Sequence, residues 1–276
     1  MLTAILLGLI QGLTEFLPVS SSGHLQILPY LFGLEPGPLA FDVALHFGTL
    51  VAVVAYFFSD LWEIGMGTLG VGDRSPTQVA TARREFVLLI VASVPAAIAG
   101  FLLEGTFEEL LDDPRLAAVM LLVTAGFLLG AERLYAARQS TGRTQIDTRN
   151  AITMGLSQAL AIIPGISRSG ATIATGMATG LTRSAAARFS FLMSVPVIAG
   201  AFVAQVPSLS TTALAGTGYT PADVVAGTIT AGVSGYFAVR YLMRLVTNET
   251  LRGFAYYVIG LSVVTLVASI FIGPPT

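Results

Sequence analysis

Apolar residues in this chain run in long blocks, without the strict alternation of strands or the one-sided stripe of surface helices. Six blocks, at about 41–58, 84–104, 115–135, 184–206, 221–244 and 253–272, are each near the roughly 20 residues that a bilayer-crossing helix needs. Two further apolar regions, about 2–33 and 150–181, are broken midway by Pro, Gly and Ser. A break of this kind strips backbone N–H and C=O groups of their helical partners, and hydrocarbon does not tolerate that. The pattern therefore predicts two re-entrant helix–loop–helix hairpins whose tips lie inside a bundle of six transmembrane helices. The expected fold is an all-α polytopic membrane protein, one integral membrane domain spanning residues 1–276.

The two broken regions resemble each other. At an offset of 147 residues they superpose without a gap. Ala4/Ala151, Ile5/Ile152, Gly8/Gly155, Leu9/Leu156, Gln11/Gln158, Leu13/Leu160, Ser20/Ser167, Ser22/Ser169 and Gly23/Gly170 are then identical. Nine identities in twenty positions, ending on a shared Ser-x-Ser-Gly, imply two diverged halves at approximately 1–135 and 148–276.

Composition agrees with the hydropathy. Only 11% of residues are charged and 54% are hydrophobic, against about 25% charged in a soluble domain, and the mean hydropathy is +0.79. With no cysteine, a disulfide framework, a zinc–thiolate site and a cysteine nucleophile are all excluded. The short apolar run from Leu2 to Ile10 has no basic residues ahead of it, and Gln11 and Glu15 follow closely, so it is not read as a cleaved signal. All fourteen cationic side chains are arginine. Twelve of them (Arg74, Arg83, Arg84, Arg133, Arg138, Arg143, Arg149, Arg183, Arg188, Arg240, Arg244 and Arg252) fall on one side if the spans alternate. Arg115 falls opposite, in a loop with Glu104, Glu108, Glu109, Asp112 and Asp113. The arginine-rich side is expected to be cytoplasmic, which puts both termini outside. The first hairpin then enters from outside and the second from the cytoplasm, an inverted-topology repeat whose tips are expected to meet near the bilayer midplane.

The tips carry the polar chemistry. Gln11 and Glu15, four apart, share a helix face, and His24 follows the run Ser20-Ser21-Ser22-Gly23. The second tip supplies Ser167, Arg168, Ser169, Gly170 and Thr172. The bland readings are that Glu15 and His24 pair with each other or the backbone and that the hydroxyls cap helix starts. Against them stands the density of polar groups in membrane-buried sequence, where each ionisable side chain is costly. Gly23 and Gly170 permit close backbone approach, helix N-termini favour anions, and Arg168 offers a fork suited to phosphate oxygens. Glu15, with Gln11 as a neutral oxygen donor, suits a hard divalent cation held alongside substrate phosphates. Asp42 and His46, four apart at the start of the first span, are placed at the outer mouth or in a core or interfacial role. Glu132, Asp223 and Glu249 are read as solvated or paired with arginines, and aromatics such as Trp62 as interfacial anchors.

At these residues the sequence resembles the undecaprenyl-diphosphate phosphatase (bacitracin-resistance, BacA/UppP) family. The likeness rests on Gln11-x-x-x-Glu15 followed by Phe16-Leu17-Pro18-Val19-Ser20-Ser21-Ser22-Gly23-His24, on Pro164-Gly165-Ile166-Ser167-Arg168-Ser169-Gly170-Ala171-Thr172, and on Phe189-Ser190-Phe191-Leu192-Met193-Ser194-Val195-Pro196. The resemblance implies a bacterial inner-membrane enzyme that removes the terminal phosphate of undecaprenyl diphosphate and so recycles the lipid carrier of cell-wall synthesis. It also implies a periplasm-facing site, a homodimer and a divalent cation, Mg²⁺ or Ca²⁺; no nucleic-acid partner is expected. The family has Glu or Gln at the first acidic position, so Gln11 leaves Glu15 as the motif's only carboxylate, and it often has threonine where Ser22 stands. Carried onto this chain, Glu15, Ser21, His24 and Arg168 form the expected catalytic set. Ser20, Ser22, Gly23, Ser167, Ser169, Gly170 and Thr172 are the expected substrate contacts, and Glu15 with Gln11 the expected cation ligands. The nucleophile is left among His24, Ser21 and water. The alternative is a lipid or ion transporter built on the same repeat, which would keep moving its substrate after His24→Ala, whereas a phosphatase would lose turnover.

Overall fold

A computed structural model describes residues 1–35, 37–110, 113–138, 142–205 and 217–272, with only the backbone over 103–110. Eleven helices are described: α1 (Leu2–Phe16), α2 (Ser21–Phe32), α3 (Leu39–Tyr56), α4 (Phe58–Leu69), α5 (Pro76–Leu110), α6 (Pro114–Ala137), α7 (Thr148–Leu160), α8 (Arg168–Ala178), α9 (Arg183–Gln205), α10 (Pro221–Asn248) and α11 (Arg252–Ile272). There is no strand among the described residues, only one isolated bridge between Arg143 and Leu181. Six helices, α3, α5, α6, α9, α10 and α11, are long and apolar enough to cross a membrane. They fall on the six expected blocks. Residue 206, the end of the fourth block, Asp112 and the side chains of Glu104, Glu108 and Glu109 lie outside what is described.

The stretch after the first apolar block begins with α4, which exposes Phe58 and Trp62 while burying Ile64 and Gly67. One narrow buried face and an aromatic outer face are what a helix lying at an interface requires, and Gly70 ends it in the left-handed conformation, φ 69°.

The two broken apolar regions each form a pair of short helices. α1 stops where Leu17 precedes Pro18, since a residue before proline is driven to extended backbone, here φ −65° and ψ 144°. Ser20 then caps α2, its Oγ accepting from Gly23 N at 3.3 Å. In the second pair α7 opens on a reciprocal Asp147–Asn150 capping box and stops before Pro164-Gly165. Ser167 caps α8, its Oγ accepting from Gly170 N at 3.0 Å. The hydroxyls repeat the likeness, Ser20 with Ser22 at 3.2 Å and Ser167 with Ser169 at 3.1 Å.

Small residues bring the short helices against long ones. A Cβ on Gly8 would strike the Gly227 carbonyl, and one on Gly12 would strike Ser234 and Ala231, so α1 lies backbone to backbone on α10. Gly155 does the same for α7, meeting Ala92 of α5. Small-residue contacts of this kind are how helices associate where no hydrophobic drive separates them from lipid. Behind the tips the buried rings of Phe16 and Phe191 meet edge to face, centroids 5.6 Å apart. At the arginine-rich end, buried Glu132 of α6 accepts from Arg183 Nε and Nη2 of α9 at 2.8 and 2.6 Å and from Leu251 N at 3.0 Å. That carboxylate ties three parts of the bundle together.

Candidate active site

The two tips touch. A Cβ built on Gly23 would come within 3.3 Å of Gly165 Cα, tighter than ordinary contact, while Gly165 turns at φ 89° with its own Cβ position against the Ala117 carbonyl. Ser169 Oγ donates to the Leu17 carbonyl at 3.0 Å, a bond from the second tip to the first. Thr124 of α6 holds the second tip from behind: it accepts from Ser167 N at 2.9 Å and donates to the Gly165 carbonyl at 3.0 Å.

Glu15 is the centre of the contact. Its Oε1 accepts from Arg168 Nη2 at 2.5 Å. Its Oε2 accepts from Ser21 Oγ at 2.6 Å and from Gln11 Nε2 at 3.1 Å. His46 Nε2 stands 3.8 Å from the same Oε2. Glu15, Ser20, Ser21, Ser22, Ser167 and Arg168 line a cavity of about 170 Å³ together with His46, Ala161, Ile162 and Ile166. Sites that enclose a whole small molecule run to roughly 300–1,000 Å³, so this one has the size of a headgroup. Arg168 Nη1 is buried with no hydrogen-bond partner. A guanidinium with one edge satisfied by a carboxylate and the other unpaired is a ready donor to an anion.

The remaining expected residues take other positions. His24 is buried and off the cavity wall. Its Nδ1 lies 2.7 Å from the Ser20 carbonyl and its Nε2 2.8 Å from the Tyr257 hydroxyl. Ser21 therefore meets Glu15 and not His24. Thr172 lies behind the second tip, donating to the Arg168 carbonyl at 2.7 Å and sharing a 2.6 Å contact with Ser190. Gln11 is fully buried behind Glu15. Its Oε1 and that of Gln158, its counterpart in the second pair, are both without partners. His46 holds its own helix through Nδ1, 2.8 Å from the Asp42 carbonyl, and so turns Nε2 toward Glu15. Asp223, read as solvated or bound to arginine, instead faces the amino group of Met1 and closes the capping box of α10, its Oδ2 accepting from the N–H of the N-cap residue Thr220 at 2.9 Å.

Sequence reasoning passed over Thr124 and Tyr257 and named Ser190 only within the Phe189–Pro196 stretch, without a role. For Thr124 the available signal was one hydroxyl in an apolar span. Tyr257 gave none, because a tyrosine near a span end reads first as an interfacial anchor.

Among the described residues no three of His, Asp, Glu or Cys gather to hold a metal. The nearest hard oxygens are Glu15 Oε1, already bonded to Arg168, and Gln11 Oε1, unpartnered but behind the cavity wall, with Arg168 offsetting the one negative charge. This set suits a hard divalent cation only when a phosphorylated ligand brings further oxygens and charge.

Fold and site thus define a multi-pass helical membrane protein whose polar centre suits a phosphorylated headgroup. The chain belongs to the family described as Bacitracin resistance protein BacA, whose family model matches residues 4–264. It is 42% identical over 265 residues to the undecaprenyl-diphosphatase of Desulforudis audaxviator, covering 95% of this chain and 96% of that one. It is 43% identical over 273 residues to that of Moorella thermoacetica, covering 98% and 97%. The Rubrobacter xylanophilus protein of the same name is 43% identical over 260 residues, covering 93% and 94%.

Proposed function

We propose that this chain is an undecaprenyl-diphosphate phosphatase, hydrolysing the terminal phosphate of a polyprenyl diphosphate to return the lipid carrier to cell-wall synthesis. The observation that carries the reading is the Ser21 hydroxyl 2.6 Å from the Glu15 carboxylate, beside Arg168, in a headgroup-sized cavity. A nucleophile bonded to its base is the arrangement that activates serine, and a translocation site has no use for it. Family membership and the names of the relatives agree.

In this reading the diphosphate enters between the tips and takes the free Nη1 edge of Arg168 and the hydroxyls of Ser20, Ser22 and Ser167. Ser169, Gly23, Gly170 and Thr172 shape the turns that present these groups. Ser21 Oγ attacks the terminal phosphorus as its proton passes to Glu15. The bond to the bridging oxygen breaks, and the lipid monophosphate leaves with that oxygen and the proton returned by Glu15. Water then attacks the seryl phosphate as its proton passes to Glu15; the Ser21 Oγ–P bond breaks, Ser21 takes that proton, and inorganic phosphate leaves. Glu15 and Gln11 are the residues that would hold a divalent cation, whose chemistry there would be charge neutralisation of the phosphate oxygens. Catalysis otherwise consists of positioning and electrostatics, as phosphoryl transfer generally does.

The matching caps and hydroxyl pairs of α1–α2 and α7–α8 support their reading as re-entrant hairpins of an inverted repeat. The arginine distribution supports a site open to the periplasm. A homodimer belongs to the same reading and is checked by cross-linking in membranes.

The test is phosphate release from a polyprenyl diphosphate by protein purified in detergent, with and without EDTA, beside Ser21→Ala and Arg168→Ala. Cation-dependent release that both variants abolish is expected. Well-folded wild type that releases no phosphate overturns the reading and brings the transporter forward.

A further inference from the structure

His24 is buried, and both of its ring nitrogens have partners away from the cavity. A backbone carbonyl only accepts hydrogen bonds, so Nδ1, 2.7 Å from the Ser20 carbonyl, carries the proton. In the neutral ring Nε2 is then an acceptor, and the Tyr257 hydroxyl at 2.8 Å must donate to it. The two rings also lie nearly parallel, planes 16° apart and centroids 5.6 Å apart, so packing and hydrogen bonding fix the imidazole in one orientation. The lone pair of Nε2 is committed to a residue 233 positions away on α11.

What the imidazole holds is a strained turn. Ser20 has φ 69°, the one positive φ outside glycine among the described residues, a conformation that persists only when its surroundings enforce it. Its carbonyl receives two donors from the same residue, His24 N at 3.2 Å and His24 Nδ1 at 2.7 Å. Ser21 follows directly, and its Oγ meets Glu15. The direction in which Ser21 leaves the turn depends on the Ser20 peptide.

We infer that Tyr257 is a positioning residue for the reaction: through His24 Nε2 it locks the Nδ1–H tautomer, which clamps the Ser20 carbonyl and holds Ser21 against Glu15. His24 is accordingly a brace and not the atom that attacks phosphorus. This rests on the phosphatase reading with Ser21 and Glu15 at its centre.

The chain has only two histidines, so full-length protein labelled with ¹⁵N-histidine gives two imidazole signal sets, and His24→Asn assigns one of them. Wild-type His24 is expected as the Nδ1–H tautomer. Tyr257→Phe keeps the ring and removes the donor. It is expected to move the Nε2 signal toward that of an acceptor without a donor and to lower kcat about tenfold, the order of one lost hydrogen bond, leaving KM within about twofold. His24→Asn keeps a donor near the Nδ1 position and has nothing at Nε2. Turnover within about tenfold of Tyr257→Phe is expected for it, well above His24→Ala. An Nε2–H tautomer in wild type, an Nε2 signal or kcat unmoved by Tyr257→Phe, or a His24→Asn protein as inactive as His24→Ala overturns the inference. If wild type shows the expected tautomer and Tyr257→Phe moves the Nε2 signal as expected, yet no phosphate is released, the phosphatase reading has failed and the brace has not.

Discussion

At Glu15 one carboxylate does three jobs: it orients Ser21, pairs with Arg168 and is backed by the Gln11 amide. Glu15→Gln keeps the shape and removes the base, and we expect turnover to fall by about 10²–10⁴-fold, the usual share of general-base catalysis. Steady-state phosphate release measures it. Arg168→Lys keeps the charge but loses the fork with one edge on Glu15 and one free, and kcat/KM is expected to fall about tenfold or more. A Lys variant with wild-type kcat/KM would remove the guanidinium from the proposed clamp. The sequence made these residues legible because ionisable and hydroxyl groups are conspicuous in apolar surroundings. It did not reveal that Ser21 belongs to Glu15 and His24 to Tyr257, since periodicity orders residues along a helix and carries no information about a partner on another one.

The helices hold the tips by contacts that leave no room for substitution and by ends that are capped. Gly12→Ala would press a methyl against Ser234 and the Ala231 carbonyl, so α1 must withdraw from α10; we expect a loss of about 1–3 kcal/mol, read as a lowered unfolding temperature in detergent. Glu132→Ala would leave the part-buried Arg183 and the buried Leu251 N without their acceptor, with an expected cost of about 3 kcal/mol, the low end for a broken buried pair, and no change in KM for the active fraction. At the start of α7 the Asn150 backbone N–H, and after it Arg143, hold the Asp147 carboxyl below its ordinary range. A carboxyl depressed in the folded state stabilises fully above its unfolded pKa of about 3.9, and that contribution fades as pH falls through the lower folded value. Asp147→Ala is expected to cost about 1 kcal/mol at neutral pH and to flatten the acid side of the stability profile. Span positions were readable from run length alone. The helix α4 was not, because a short amphipathic stretch after a span has no length signal to separate it from a loop.

For the whole molecule, the absence of cysteine turns the expected topology into a labelling experiment: any introduced thiol is unique. Ser22→Cys is expected to react with a membrane-impermeant reagent added from the periplasmic side and Arg74→Cys only after the cytoplasmic side is opened; the reverse pattern would invert the topology. Two halves of such a chain could drift against each other, yet Arg168 and Glu15, 153 residues apart, fasten them at the point where substrate must enter. Each side chain is the other's resting-state ligand. In the proposed reaction a diphosphate takes the free Nη1 edge while Nη2 stays on Glu15, so the guanidinium is already aimed when the headgroup arrives. The bond that keeps the two tips in register then also pre-sets the angle at which a phosphate is met.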